Sequence, residues 1–251
     1  MSKHGNGETL ADCVGRWADA VGIAPAFLPG PAALRRLFRG SGDVCRPPAD
    51  PSAVAAWERR HGFRLPDSLR AWLLASDGLY RGAPLIHPLT AIGPMIPFAR
   101  VPGLFVQPES WFELGNPGTE TVCIDLGYAW PGPGGDCPIF SSGDDLRGST
   151  PRLIAPGFSS WLVRLLREGG REYWLDPGFE ALGDPWREHR DRAPIPPLPD
   201  RLRPWASRVR PLMRPGADDR TIATSLGISR GDVEALFRHL QHDPAGASPG
   251  P

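Results

Sequence analysis

The sequence predicts an α+β protein, with helices packed on a mostly antiparallel sheet and a small all-α helix-turn-helix unit after it. Three observations predict this. A capped pair of helical patterns occupies residues 52–77. Short apolar pieces between prolines and glycines follow, and a strong helical stripe at 158–166 ends that part. Beyond a proline-rich stretch, two further helical patterns flank Gly227. The order helix, helix, strands, helix fits helices laid on an antiparallel sheet.

Taken in order, residues 8–21 place Leu10, Val14, Trp17 and Val21 at helical spacing. Pro31 opens a second short helix through Leu34, Leu37 and Phe38, and residues 40–51 read as a connection. Residues 1–50 thus read as an accessory helical extension. In the next helix Ser52 is the candidate N-cap, Val54, Trp57 and His61 share a face, and Gly62 fits the C-terminus. Leu65-Pro66-Asp67-Ser68 restarts a helix that buries Leu69, Trp72 and Leu73 and stops at Ser76-Asp77-Gly78.

The pattern then changes to "APLIHPL", "GLFVQ", "SWFELG", "ETVCIDL" and "CPIFSS". In the fourth piece Val122, Ile124 and Leu126 alternate with Thr121, Cys123 and Asp125, the period of a half-buried strand. "GYAWPGPGGD" fits a loop between strands. Phe158, Trp161, Leu162, Leu165 and Leu166 form the closing helix, ended by Gly169-Gly170. The α+β domain is expected over 51–175 and a linker over 176–200, where "RAPIPPLPD" is stiff and extended. The helix-turn-helix unit spans 201–242, and 243–251 read as a disordered tail.

Composition sets limits. The chain of 251 residues is 41% apolar with nine Trp and ten Phe, enough for a substantial core. Its formal net charge of zero argues against non-specific nucleic-acid binding by the whole chain. The four cysteines are widely spaced with no C-x-x-C pair, and the histidines are scattered. No metal site and no cofactor are expected, and reduced thiols fit a cytoplasmic protein. No apolar stretch reaches the length of a membrane span, so no membrane partner is expected.

Residues 52–169 resemble the SUKH superfamily, of the Smi/Knr type. The opening hairpin carries Gly62, Leu65, Pro66, Trp72, Leu73, Asp77 and Gly78 where the family has a G-x-x-LP turn between helices and a terminal Asn/Asp-Gly. The closing segment carries Ala155, Phe158, Trp161 and Leu162 where the family has an Ala-x-x-Phe-x-x-Phe/Trp-Leu helix. The resemblance implies a non-catalytic module that binds a protein partner such as a toxin domain, in an immunity or regulatory role.

Gly227-Ile228-Ser229-Arg230-Gly231 spells the G-x-S-x-G of a hydrolase nucleophile elbow. That elbow needs a buried strand before it, and an acid and then a histidine well after it. Here a helical pattern precedes it, and the last histidine, His242, lies thirteen residues beyond Ser229. The hydrolase reading fails, and no catalytic set is expected. The same letters suit a helix-turn-helix, with Gly227 in the turn, Ser229 capping the second helix, and Ile222, Leu226, Ile228, Val233 and Leu236 in the core. This unit resembles the C-terminal domain of LuxR-type regulators. Double-stranded DNA is therefore the alternative partner, through Arg220, Ser229, Arg230, Arg238 and His239. Asp232 and Glu234, on the same helix, oppose it by repelling phosphate. For a protein partner the candidate anchors are Trp111, Tyr128 and Trp130, aromatics near strand ends and loops. "GPGGD" at 132–136 and Asp144-Asp145 read as plain turns.

Overall fold

The computed structural model describes residues 9–37, 45–96, 104–131, 136–143, 149–214 and 218–242. The protein is α+β, with helices and an antiparallel sheet. It forms two compact units: residues 1–96 with 110–185, and residues 97–109 with 186–251.

The first unit begins with α1, Leu10–Val21. The Thr9 side chain accepts from the Asp12 backbone, the Asp12 carboxylate accepts in return from the Thr9 backbone, and Gly22 closes the helix at φ 71°. The sequence made this region an accessory extension, but its inner face lies in the main core. Trp17 is fully buried, sends its indole N–H to Ser68 O at 3.0 Å, and meets Trp72 and Phe158 edge-on. A buried tryptophan that bonds a neighbouring helix makes α1 integral to the fold. A 3-10 turn, Pro25–Phe27, and a short helix α2, Pro31–Leu37, follow.

Helices α3, Pro51–His61, and α4, Asp67–Ala75, form the expected hairpin. The cap of α3 is Asp50, not Ser52: its carboxylate accepts from Ser52 N at 2.7 Å. Pro51 explains the shift, because a proline that lacks N–H fits the first helical position. Gly62 ends α3 at φ 73°. Glu58 then locks the turn by accepting from Leu65 N at 2.9 Å and pairing with Arg70.

Strands β1, Leu79–Arg81, and β2, Ala83–Ile86, make a two-stranded ribbon. Strands β3, Gly93–Pro94, β4, Trp111–Gly115, β5, Val122–Asp125, β6, Ile139–Ser141, and β7, Arg152–Ala155, form an antiparallel meander in chain order. The β4–β5 register sets Phe112 opposite Ile124. The sequence read β5 as half-buried, yet all four of its residues are buried. β2 runs against β4, with His87 N donating to Leu114 O at 2.7 Å and Asn116 N to Pro84 O at 2.8 Å. Gly115 permits this approach, since a Cβ there would lie 2.1 Å from Leu85 O. β7 leads into α5, Phe158–Arg167, whose Phe158, Trp161, Leu162, Leu165 and Leu166 are all buried, as the stripe predicts.

The stretch 176–200, expected to be a linker, is divided between the two units after Pro185 and contains a helix α6, Pro185–Arg192. Trp186 and His189 on α6 gather with His242 in a ring cluster. Of "GLFVQ", the described residues 104–107 form no strand. Gln241 holds its backbone, accepting from Phe105 N and Val106 N and donating to Val106 O, while Phe105 packs on Phe237. Helix α7, Arg203–Val209, places Pro204 in its first turn and tightens at Pro211 into a 3-10 turn, Arg210–Leu212. Helices α8, Asp219–Leu226, and α9, Arg230–Leu240, complete the helix-turn-helix. Gly227 sits at φ 68°, Ser229 caps α9 through Asp232 N, and Ile222, Val233 and Leu236 are buried, while Leu226 and Ile228 pack at the margin. The expected tail, 243–251, lies outside the described residues.

Candidate functional site

The aromatics expected to anchor a partner take other positions. Trp111 is fully buried on β4, where it packs on Phe140 with ring centres 4.8 Å apart. Its indole N–H donates to Asp125 Oδ2 at 2.9 Å. Asp125 Oδ1 accepts from Ser110 Oγ at 2.7 Å and from Gly127 N at 2.8 Å. Tyr128 is buried as well, and Trp130 is half-buried. Trp111 and Tyr128 are therefore core residues with no face to offer a partner. The letters mark aromatics at strand ends, but not that both faces of this sheet region are covered.

An open surface lies elsewhere in the first unit. The chain turning out of α1 through Gly22, Ile23, Ala24 and Phe27 faces the outer side of α5, leaving a groove of about 680 Å³. Phe27 is 59% exposed, a large apolar side chain in a turn flanked in sequence by Pro25 and Pro29. Val163 supplies the apolar floor on α5, and Arg164 and Arg167 stand on the same side. Arg164 lies over the rings of Tyr173 and Phe179, at 4.1 and 5.3 Å, which fixes its guanidinium in place. Glu168, the acid of the rim, already pairs with Arg171 at 2.9 Å. The groove is thus apolar at its base and positive at its edge. Sequence reasoning missed it. The available signals were Phe27 in a proline-framed turn, with no helical face to bury it, and Val163 on the polar side of an otherwise clean stripe.

The candidate DNA-contacting residues lie close together around α8 and α9, but most are engaged within the unit. Ser229 is spent on the cap of α9. Arg230 pairs with Asp219 at 2.6 Å and with Glu234 at 3.2 Å. Arg238 pairs with Glu109 at 2.9 Å and with Glu234 at 3.5 Å. His239 Nδ1 lies 2.9 Å from Pro196 O. Arg220 is exposed. Arg201 and Asp232 form a pair at 2.6 Å, and each holds the other in its charged form, with the Asp232 carboxyl lowered and the Arg201 guanidinium raised. Glu234 therefore sits between Arg230 and Arg238 on one face of α9, at the helical i, i+4 spacing. A phosphate approaching that face meets arginines already answered by carboxylates.

The remaining expected turns, 132–135 and Asp144-Asp145, lie outside the described residues. Among the described residues no group of three or more His, Cys, Asp or Glu side chains gathers as a metal site. No helix among them is long and apolar enough to cross a membrane. Compared with known proteins, the chain matches no family model and no curated sequence.

Proposed function

We propose that this chain is a non-catalytic, cytoplasmic protein-binding module of the SUKH type, and that the groove between the end of α1 and α5 receives its partner. The observation that carries the reading is the exposed Phe27 beside Val163, with Arg164 and Arg167 at the rim. An aromatic ring and a positive edge fit one kind of occupant: a protein segment that presents a bulky apolar side chain flanked by carboxylates. The α3–α4 hairpin with its Gly62 and Leu65-Pro66 turn, and the β7-to-α5 ending, support the family reading. The family resemblance adds that the partner is a toxin domain or a regulated protein, bound and sterically occluded.

The test uses the full chain with a photo-crosslinker replacing Ser160, on the groove wall. The expected product is a protein adduct that survives nuclease treatment, weakens with salt, and disappears in Phe27→Glu and in Arg164→Glu/Arg167→Glu. An adduct indifferent to both variants overturns the groove. Capture that nuclease abolishes overturns the protein-partner reading.

A second reading keeps DNA as the partner of the helix-turn-helix. It is favoured by eight arginines against four acidic residues in 201–242. It predicts steep salt dependence of DNA retention, reduced by Arg220→Ala. Flat, weak retention in the full chain rejects it.

A further inference from the structure

Residues 104–109 lead toward β4, yet their bonds go to the end of α9. Leu104, Phe105, Val106 and Gln107 form neither helix nor strand, and each is only half-buried. Three side chains hold this segment. Gln241 Oε1 accepts from Phe105 N and Val106 N, each at 3.2 Å, and Gln241 Nε2 donates to Val106 O at 2.8 Å. The Phe105 ring meets Phe237 edge-on, with centres 6.0 Å apart. Arg238 Nη1 pairs with Glu109 Oε1 at 2.9 Å.

Each contact reads a different feature. Gln241 follows α9 directly and is 9% exposed, so its amide needs partners within the protein. All three of its bonds here are to main-chain groups, and it therefore reads a bent backbone with two successive N–H groups, whatever side chains that backbone carries. Phe237 is 2% exposed, stands one helical turn before Gln241, and favours an aromatic ring beside the bend. Arg238 reads an acid four positions after that ring. The Glu109 side chain is 67% exposed, so this pair sets register more than strength. The segment itself lies on the core of the second unit: Phe105 and Val106 pack against it, whereas Val233, Leu236, Phe237 and Leu240 are buried in it. A segment with so few buried groups opens locally at less cost than the unit unfolds.

We propose that Phe237, Arg238 and Gln241 form a peptide-docking site on α9, that residues 105–109 occupy it in cis, and that a partner protein presenting an aromatic residue with an acid four positions later displaces them. The exchange conserves the contacts. The incoming backbone replaces the three bonds to Gln241, its ring replaces Phe105 on Phe237, and its carboxylate replaces Glu109 on Arg238. The resident segment is tethered and competes at a high effective concentration, so a partner must add contacts of its own outside the site. The site belongs to the second unit and does not rest on the reading of the groove beside α5.

The experiment titrates a fluorescein-labelled peptide with the sequence of residues 104–109, LFVQPE, into the full chain and into its Phe105→Ala/Glu109→Ala variant, whose own segment is weakened. Fluorescence anisotropy reads binding. The expected result is binding to the double variant at least about tenfold tighter than to the wild-type chain, because the resident segment competes fully only in the latter. Gln241→Ala, added to the double variant, abolishes binding, as does alanine in place of the peptide's phenylalanine. Glutamine in place of its glutamate weakens binding several-fold. Equal binding to the two chains, or none to a folded double variant, overturns the proposal. Where the double variant loses its helical circular dichroism, the wild-type chain decides alone. Unlabelled peptide at millimolar concentration should then speed hydrogen exchange at the Phe105 and Val106 amides and leave the β5 amides unchanged. Unaltered exchange at Phe105 and Val106 overturns the proposal.

Discussion

Asp125 is the residue whose removal should reveal most about this fold. It is 1% exposed and accepts from Ser110 Oγ, Trp111 Nε1 and Gly127 N at 2.7, 2.9 and 2.8 Å. Asp125→Ala strands these donors together. Ser110 and Trp111 are buried, so water does not reach them freely. An unsatisfied buried donor costs about 1–3 kcal/mol, and a hydrogen bond to a charged group is worth about 1.5–3 kcal/mol. Relief of the buried carboxylate's desolvation offsets part of this, leaving a net loss of about 3–4 kcal/mol. Against a typical domain stability of about 5–15 kcal/mol, that is a large fraction. Chemical denaturation followed by circular dichroism and tryptophan fluorescence measures it. Trp111→Phe removes one donor and leaves the bonds from Ser110 Oγ and Gly127 N in place, so it should cost only about 1–2 kcal/mol. In the double variant the two losses should not add, because Trp111 and Asp125 share a bond. A loss below about 1 kcal/mol in Asp125→Ala would refute the claim that this carboxylate organises β4, β5 and the turn after them.

Three further outcomes follow from the geometry. Gly115→Ala should destabilise the first unit by about 3 kcal/mol or more, because the new Cβ meets the Leu85 carbonyl backbone and not a movable side chain; thermal unfolding checks it. Gly227→Ala meets no atom but forces a left-handed φ of 68° on a residue with a Cβ, so it should cost about 1–2 kcal/mol, read from denaturation of the second unit. His242 carries a folded pKa below its ordinary 6.5, because burial and then the neighbouring His189 penalise its charge, with smaller opposing and reinforcing effects from Arg190 and His239. Between the folded and unfolded values the unfolded chain binds more protons, so this stabilisation is complete above pH 6.5 and falls as the pH drops below it. Unfolding midpoints taken between neutral and mildly acid pH should show the decline, and His242→Phe should flatten its contribution, leaving the part due to His61 and His87, which burial also lowers.

The parts of the fold that could be read in the sequence are those set by local periodicity and turn chemistry. The α5 stripe, the Gly62 stop of α3 and the Gly227 turn each depend on residues within one or two helical turns. The parts that could not be read depend on what arrives from far along the chain. β7 is four residues long and lies beside α5, so its apolar letters merge with the helix that follows. "GLFVQ" has a strand's composition, but its amides are taken by Gln241, more than 130 residues away. α6 is densely charged, with no apolar stripe to announce it, and is anchored through Trp186 and His189. Residues 8–21 announced a helix but not its depth, because Trp17's partners, Ser68, Trp72 and Phe158, lie fifty or more positions on.

The same distinction separates the two candidate surfaces. On α9, residue type suggests a basic recognition helix, whereas pairing decides what that helix can offer. Arg230 and Arg238 each reach the same Glu234 one turn away, and Asp219 and Glu109 close the two ends of the chain of charges. To bind phosphate, both arginines must exchange carboxylate partners for DNA and leave Glu234 facing the backbone, so each contact gains less than an unpaired arginine would. The groove beside α5 is the reverse case. Arg164 is oriented by Tyr173 and Phe179, rings that fix the guanidinium without neutralising it, and Phe27 is exposed in its turn. A carboxylate-bearing partner meets a charge already in position there, with little side-chain freedom left to lose. That difference in pairing is the physical ground for proposing a protein ligand at the groove before DNA at α9.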